Sequence, residues 1–248
     1  MKGQAWYHRW FGADYLQLYQ HRSGREAAAA IAWLVAELKL APAAKVLDLA
    51  CGNGRHSREL IRLGFQTYGF DLSWPLLIEA SGLADMDRLE RVRGDMRYLP
   101  FASGCFSLVL SLFTSFGYFS SEDGDVKVLQ EVARVLRNRG IYVLDFLNAT
   151  LVRDHLVPTE ETQLGDKKVT IFRWLDEPRS RVEKRILIHE ARGVVREYRE
   201  SVRLYSEEEL RNLLETASIT VRTTYGDYNG SAHSGNSPRL ILIGYKDA

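Results

Sequence analysis

Three carboxylates sit where successive apolar runs end: Asp48 in VLDLA, Asp71 in GFDLS and Asp95 in GDMRYLPF. Between the first two lies a turn of small residues, Asp48-Leu49-Ala50-Cys51-Gly52-Asn53-Gly54. Small side chains let a backbone approach a ligand, and a helix starting after such a turn offers unpaired N–H groups. Asp71 follows Gly52 by 19 residues. An acid so placed, at the end of a second strand, can accept hydrogen bonds from both hydroxyls of a ribose. Asp95, with a main-chain N–H beside it, suits the amino group and a ring nitrogen of adenine. Together these residues have the chemistry to recognise a nucleoside. Each alone also fits a blander reading, a local turn or cap without a ligand. Three acids at three successive strand ends is the informative pattern. The dinucleotide fingerprint G-x-G-x-x-G/A is incomplete, because Ser57 stands at its third position.

For these acids to converge, their strands must lie side by side and parallel. The order of elements predicts that arrangement. An aromatic stretch over 5–20 reads as one or two short helices, and 24–40 as a helix with Ile31, Leu34, Val35 and Leu38 at helical spacing, stopped at Ala41-Pro42. Strands follow at 45–50, 66–73, 91–96, 105–113 and 141–148. Helices separate them at about 55–62 (ended by Gly64), 75–84 and 123–138. The run CFSLVLSLF is apolar on both faces, as a strand inside a parallel sheet must be. After Asn148 the pattern changes to alternating runs at 167–175, 181–191 and 194–205, read as an antiparallel insertion of two or three strands. Ser206 and Glu209 form a capping box that opens a helix over 206–217, and strands at 219–225 and 239–246 close the chain. The expected fold is α/β: a doubly wound, mostly parallel seven-stranded sheet with an antiparallel β insertion after the fifth strand, at about 150–205. One domain spans 1–248, with an N-terminal helical lid over 1–40.

Composition narrows the partners. Lys and Arg number 33 against 32 Asp and Glu, so the net charge of +1 gives no long-range attraction to a polyanion, and no nucleic-acid partner is expected. No run approaches the ~20 apolar residues that span a bilayer, and the start MKGQAWYHRW has no signal-peptide core. Cys51 and Cys105 form neither a C-x-x-C pair nor a zinc spacing, which fits a reducing, cytoplasmic location, and no metal ligand set is evident.

VLDLACGNGRH, GFDLS, GDMRYLPF, SLFTSFGYF, EVARVLRNRG and SPRLILI together resemble the class I S-adenosylmethionine-dependent methyltransferases across essentially the whole chain. Within that class the sequence is most similar to small-molecule enzymes related to glycine N-methyltransferase and the amino-sugar N-methyltransferases. The resemblance implies a Rossmann-like fold and S-adenosyl-L-methionine as cofactor, with S-adenosyl-L-homocysteine as product. Residue by residue, it implies that Ala50 and Gly52 lie under the methionine part and that Asp48 supports their turn. Asp71 binds the ribose, and Leu72 packs on the adenine. Asp95 and the Met96 main chain read the adenine edge, and Ser111 and Leu112 lie near the sulfonium. Arg22, or Arg25 if the alignment slips, pairs with the methionine carboxylate. Ala50 replaces the first glycine of the family's turn, and Ser107 stands where the fourth strand usually begins with an acid. The resemblance also leaves room for a homo-oligomer.

Methyl transfer from a sulfonium is an in-line displacement, so the protein mainly needs to hold two molecules in line, worth about 7–11 kcal/mol. An amine acceptor must first lose its proton. Candidates for the acceptor pocket are Tyr15, Tyr118, His233 and Arg239, with Tyr205 and Tyr228 beside them; Arg203 and Arg239 could also bind an acidic group, or simply pair on the surface. No catalytic base is named. The expected reaction is transfer to a small-molecule acceptor, an amine by preference, with O- or C-methylation and a non-catalytic nucleotide-binding module as alternatives. A nucleic-acid amino-methyltransferase would carry an Asn/Asp-Pro-Pro-Tyr turn where this chain has Leu112-Phe113-Thr114-Ser115.

Overall fold

A computed structural model describes residues 5–20, 24–81 and 86–248. Two short helices, α1 (Tyr7–Trp10) and α2 (Ala13–Leu18), precede α3 (Gly24–Leu38). Then β1 (Lys45–Leu49), α4 (Arg55–Arg62), β2 (Gln66–Asp71), α5 (Trp74–Ser81), β3 (Glu90–Arg93), β4 (Phe106–Ser111), α6 (Glu122–Val135) and β5 (Leu136–Leu147) alternate as the sequence predicts. The seven-stranded sheet is completed by β10 and β11, introduced below, in the order β10-β11-β5-β4-β1-β2-β3. The five central and edge strands β1 to β5 run parallel. The order reverses between β1 and β4, and ligands bind at the carboxyl ends of strands flanking such a switch point. On β4, Leu108, Val109 and Leu110 are all buried, because helices cover both faces of the sheet.

The insertion is larger than the sequence suggested. It opens with a short helix, α7 (Ala149–His155), whose N-cap Asn148 accepts from the Thr150 N–H at 3.2 Å. It then forms four antiparallel strands: β6 (Thr159–Leu164), β7 (Lys167–Asp176), β8 (Arg181–His189) and β9 (Val195–Arg203). The unforeseen strand is β6, TEETQL, an edge strand whose exposed glutamates hide it from any hydrophobic pattern. Helix α8 (Glu207–Thr216) begins with the expected capping box on Ser206 and Glu209. Strands β10 (Ile219–Tyr225) and β11 (Arg239–Lys246) follow, β11 antiparallel to both of its neighbours. Two boundaries move. β3 stops at Arg93, because Asp95 folds back onto Arg97, and β5 starts at Leu136, paired with Phe106 across a bulge.

The second sheet packs Val169, Ile171, Ile186 and Ile188 against Trp10 and Leu18 of α1 and α2. Polar ties reinforce this layer. Trp10 Nε1 donates to Glu200 at 2.5 Å, Lys184 Nζ donates to Tyr19 Oη at 2.6 Å, and Asp14 accepts from Tyr198 Oη at 2.7 Å. The insertion therefore fixes the N-terminal helices over the carboxyl ends of β1 and β2. No described helix is long and apolar enough to cross a membrane.

Candidate active site

The turn after β1 is built on left-handed backbone. Gly52 has φ +57°, Gly54 +73° and Ala50 +59°. Only glycine takes that conformation without strain, so Ala50 stores about 1–2 kcal/mol there. A Cβ on Gly54 would lie 2.5 Å from Met86 Cε, so a larger residue would have to displace that side chain as well as hold the left-handed backbone. The turn is tied to β2 by Asp71, which accepts the Gly52 N–H at 2.8 Å and the Ser73 N–H at 2.7 Å. Burial raises the Asp71 carboxyl above its ordinary value, against these N–H bonds. One layer beneath, buried Asp48 accepts from Ser57 Oγ at 2.6 Å, and burial pushes its carboxyl up to about 6.

A half-open cavity lies over the carboxyl ends of β1, β2 and β4. One end is lined by Ala50, Gly52, Asp71, Leu72, Asp95 and Met96, and Leu112 joins them from the turn after β4. The other end is a wall of rings: Tyr7, Phe11, Tyr15, Tyr19, Tyr118 and Phe119. Phe11 stacks on Tyr118 with centroids 5.9 Å apart, and Tyr15 meets both Phe11 and Tyr19 at 5.0 Å. The loop carrying Tyr118 is clamped by buried Arg181 of β8, which donates to Gly117 O and Phe119 O at 3.0 Å each.

Residues 46–140 match a family model described as a methyltransferase domain. The chain is 28% identical over 220 residues to the glycine/sarcosine N-methyltransferase of Aphanothece halophytica, covering 87% of this chain and 81% of that protein. Two further curated relatives, a putative methyltransferase of Bacillus subtilis and a glycine/sarcosine N-methyltransferase of Halorhodospira halochloris, align over 44% and 47% of their own length. Among solved structures, the CcbJ methyltransferase of Streptomyces caelestis superposes with a TM-score of 0.78 at 19% identity over 90% of either chain. The sugar N-methyltransferase KedS8 of Streptoalloteichus does so with 0.71 at 20% identity, over 100% of this chain and 96% of that one. The chain carries a methyltransferase domain and is an S-adenosylmethionine-dependent methyltransferase.

Nine residues expected from the sequence therefore share one cavity of this methyltransferase: Ala50, Gly52, Asp71, Leu72, Asp95, Met96, Leu112, Tyr15 and Tyr118. Asp95 is already engaged by Arg97, whose Nε and Nη2 lie 3.0 and 2.5 Å from its two oxygens, and this pairing holds the Asp95 carboxyl below its ordinary value. Ser111 does not reach the cavity. As the last residue of β4 it stays in the buried layer, and Leu112 is the first to turn out. Arg22 lies outside the described residues, and Arg25 is exposed and lines no part of the cavity.

His233 and Arg239 lie away from the wall of this cavity. His233 lines no part of the cavity; its Nδ1 lies 2.8 Å from Glu207 at the start of α8, which draws the polar loop onto that helix. Arg239 is also absent from the cavity wall. It donates from Nε to Asp145 at 2.6 Å and from Nη2 to Thr114 Oγ1 at 3.0 Å. Tyr228 Oη donates to the other Asp145 oxygen at 2.8 Å, which also accepts the Phe113 N–H at 2.8 Å. Phe113 and Thr114 are consecutive left-handed residues, φ +56° and +61°. The methyltransferase uses fully buried Asp145, fed by Arg239 and Tyr228, to hold this strained turn at the cavity edge. Tyr205 is buried against Asp125, and Arg203 pairs with Glu122.

Arg55, His56 and Phe113 are among the wall residues that the sequence did not single out. Arg55 and His56 open α4, and Phe113 faces them across the cavity edge. His56 stacks on Phe113 at 5.1 Å and 27°, and burial with Arg55 beside it drives its pKa well below the ordinary value, so it is neutral. The signal for Arg55 was its place just after the glycine turn, which reads equally well as a solvated helix start.

Proposed function

We propose that the enzyme transfers the methyl group of S-adenosylmethionine to a small-molecule amine by in-line displacement. Asp71 receives the ribose hydroxyls: each of its oxygens carries a second lone pair beyond the Gly52 and Ser73 bonds, and two added donors offset the burial that disfavours its charge. Leu72 packs on the adenine, and Asp95 with the Met96 main chain meets its edge. Ala50 and Gly52 let the methionine part approach the backbone. The bound cofactor supplies an activated methyl on a cationic sulfur.

The observation that carries the choice of acceptor is the ring wall at the far end of the cavity. During transfer to an amine the positive charge passes from sulfur to nitrogen and never leaves the cavity. Ring faces attract cations by ~2 kcal/mol where water is excluded. Tyr15 and Tyr118 present such faces and flank the acceptor. The names of two relatives, a glycine/sarcosine and a sugar N-methyltransferase, agree with an amine.

The test is calorimetric titration with S-adenosylhomocysteine, with NAD as control and Asp71→Ala as paired variant, followed by transfer assays on amine and hydroxyl acceptors. Micromolar binding weakened at least tenfold by Asp71→Ala, with methyl transfer to amines, supports the proposal. Preference for NAD, or transfer to hydroxyls alone, sinks it.

A further inference from the structure

We infer that the acceptor is the N-terminal amine of an extended, acidic peptide, whose later residues add as a strand to the open edge of β9; this rests on the reading of the ring end as an amine site. β9 is the last strand of the second sheet. Along an antiparallel strand, main-chain groups point alternately toward the neighbour and away from it. The Leu204 N–H meets Ser180 O at 2.7 Å, on the β8 side, whereas the Arg203 N–H meets Gly117 O at 2.9 Å, away from β8. Ser201, two positions back, likewise gives its carbonyl to Arg181, at 2.7 Å. The pairing of β9 with β8 runs from Val195 to Arg203 without a register shift. Val195, Glu197 and Arg199 therefore also point their N–H and C=O groups away from β8, and no described residue takes them.

That open edge forms one side of a groove, in which Glu197, Tyr198 and Arg199 face Trp6 and Arg9. Two donors there are unused. Trp6 Nε1 is buried without a hydrogen-bond partner, and the exposed Arg9 guanidinium has no partner among the described residues. Glu197 already accepts from Arg185 and Arg199, at 2.8 and 3.0 Å, so the charge left over in the groove is positive and suits an acidic side chain. The groove leads to the cavity. The Gly117 loop that closes the edge at Arg203 carries Tyr118 on into the ring wall. The Trp6 ring stands between groove and cavity, its centroid 4.9 Å from that of Tyr118. At ~3.3 Å per residue, the four positions from Arg203 back to Arg199 span about 13 Å, so a peptide with its amine at Tyr118 reaches the open edge with roughly its fifth residue. Running antiparallel to β9, it exchanges pairs of hydrogen bonds with Arg199 and then Glu197. Its residue opposite Tyr198 lies on the α1 side, beside Arg9, because the Tyr198 ring faces Trp10 of α1 at 4.8 Å. In transfer the deprotonated amine attacks the methyl carbon, the carbon–sulfur bond breaks to leave S-adenosylhomocysteine, and the surplus proton on nitrogen passes to solvent.

The experiment compares two amines: a heptapeptide with a free N-terminus, three alanines and then four glutamates, and the dipeptide alanylalanine. Binding is measured calorimetrically with S-adenosylhomocysteine present, and methyl transfer with S-adenosylmethionine, in wild type, R199P, R199A and R9Q. Arg199→Pro deletes an N–H that points away from β8, where an edge strand tolerates proline, together with a mostly exposed side chain. Arg199→Ala removes the side chain and keeps the N–H. The expected result is at least tenfold tighter binding of the heptapeptide than of the dipeptide in wild type. R199P should cut that advantage at least fivefold and R9Q about threefold, while R199A keeps it within twofold. Transfer to the dipeptide should stay within twofold in all three variants, which also certifies their fold. Equal affinity for the two amines in wild type, or an advantage unchanged in R199P, overturns the edge as a peptide site. So does a dimer that R199P converts to a monomer without altering peptide affinity, which assigns the edge to a second copy of the chain. Peptide binding at the edge without transfer to either amine overturns the underlying amine reading instead.

Discussion

The two ends of the cavity are built in opposite ways. The end with Asp71 is local: within residues 48–73, the β1 turn is pinned by main-chain donors onto one carboxylate and by Ser57 onto another. The ring end is assembled from afar. Its helices are tied to β8 and β9, its loop hangs on Arg181, and the turn at its edge is held by Asp145, Arg239 and Tyr228. A local site keeps its shape when distant parts of the fold change, whereas a composite site changes with its supports. That separates an end whose geometry is fixed by its own sequence from a ring end that altering the insertion would rebuild.

The sharpest way to break this comparison is Arg181→Ala. The side chain makes four hydrogen bonds, two to loop carbonyls and two to Ser201, and its loss removes all four, leaving Gly117 O with the Arg203 N–H alone and Ser201 Oγ with Glu183 alone. The expected cost is about 3–5 kcal/mol of unfolding free energy, read from urea denaturation. S-Adenosylhomocysteine affinity of the folded fraction should stay within threefold. A tenfold loss of that affinity would show that the two ends are mechanically one. A second support beneath the ring end titrates. Asp125 accepts from Tyr205 at 2.9 Å, and burial raises its carboxyl from 3.8 to about 6. A carboxyl whose folded value is raised stabilises the fold fully below its unfolded value and loses that contribution as pH rises through the folded one. Between pH 4 and pH 7 this group should cost the fold about 3 kcal/mol. Asp125→Asn should remove that fall in stability, while the parallel step from Asp48 persists. Identical pH profiles for variant and wild type would refute it.

The same contrast explains what could be read in advance. The acids, the turn and the parallel order were legible because each is fixed by residues close in sequence and by hydrophobic period. The supports of the ring end were not. Arg239 carries the same signal whether it meets a substrate or a buried partner 94 residues away, and nothing in the sequence names Asp145 as that partner. His233, in a polar loop, looked like a ligand group until Glu207 claimed it. β6 was missed because an edge strand needs no apolar face. Four of the wall rings, Tyr7, Phe11, Tyr15 and Tyr19, were visible as an aromatic cluster. That they face a cavity depends on the second sheet, which only tertiary structure supplies.

At the local end, Ser57→Ala should be milder. It removes a buried hydroxyl from Asp48, costing about 1–2 kcal/mol of stability, and it pushes the Asp48 carboxyl further above its already raised value. Because Asp48 lies directly beneath the glycine turn, S-adenosylhomocysteine affinity should fall several-fold in calorimetry. An unchanged affinity would mean that Asp71 alone positions the turn.

The smallest expected effect asks which part of the ring wall matters. Tyr118 Oη donates to Thr114 O at 2.5 Å, inside the loop that Arg181 clamps. Tyr118→Phe removes that bond and keeps the ring, so stability should drop by about 0.5–1 kcal/mol in thermal melts. If ring faces stabilise the moving positive charge, turnover with an amine acceptor should stay within twofold of wild type. Tyr118→Leu keeps an apolar side chain but removes the face, and turnover should fall by up to about 30-fold, the equivalent of ~2 kcal/mol. The two substitutions separate an electrostatic wall from a merely apolar one. Equal losses in both would assign the effect to the hydroxyl and its hold on the Thr114 turn, and the acceptor end would then act through geometry rather than through its rings.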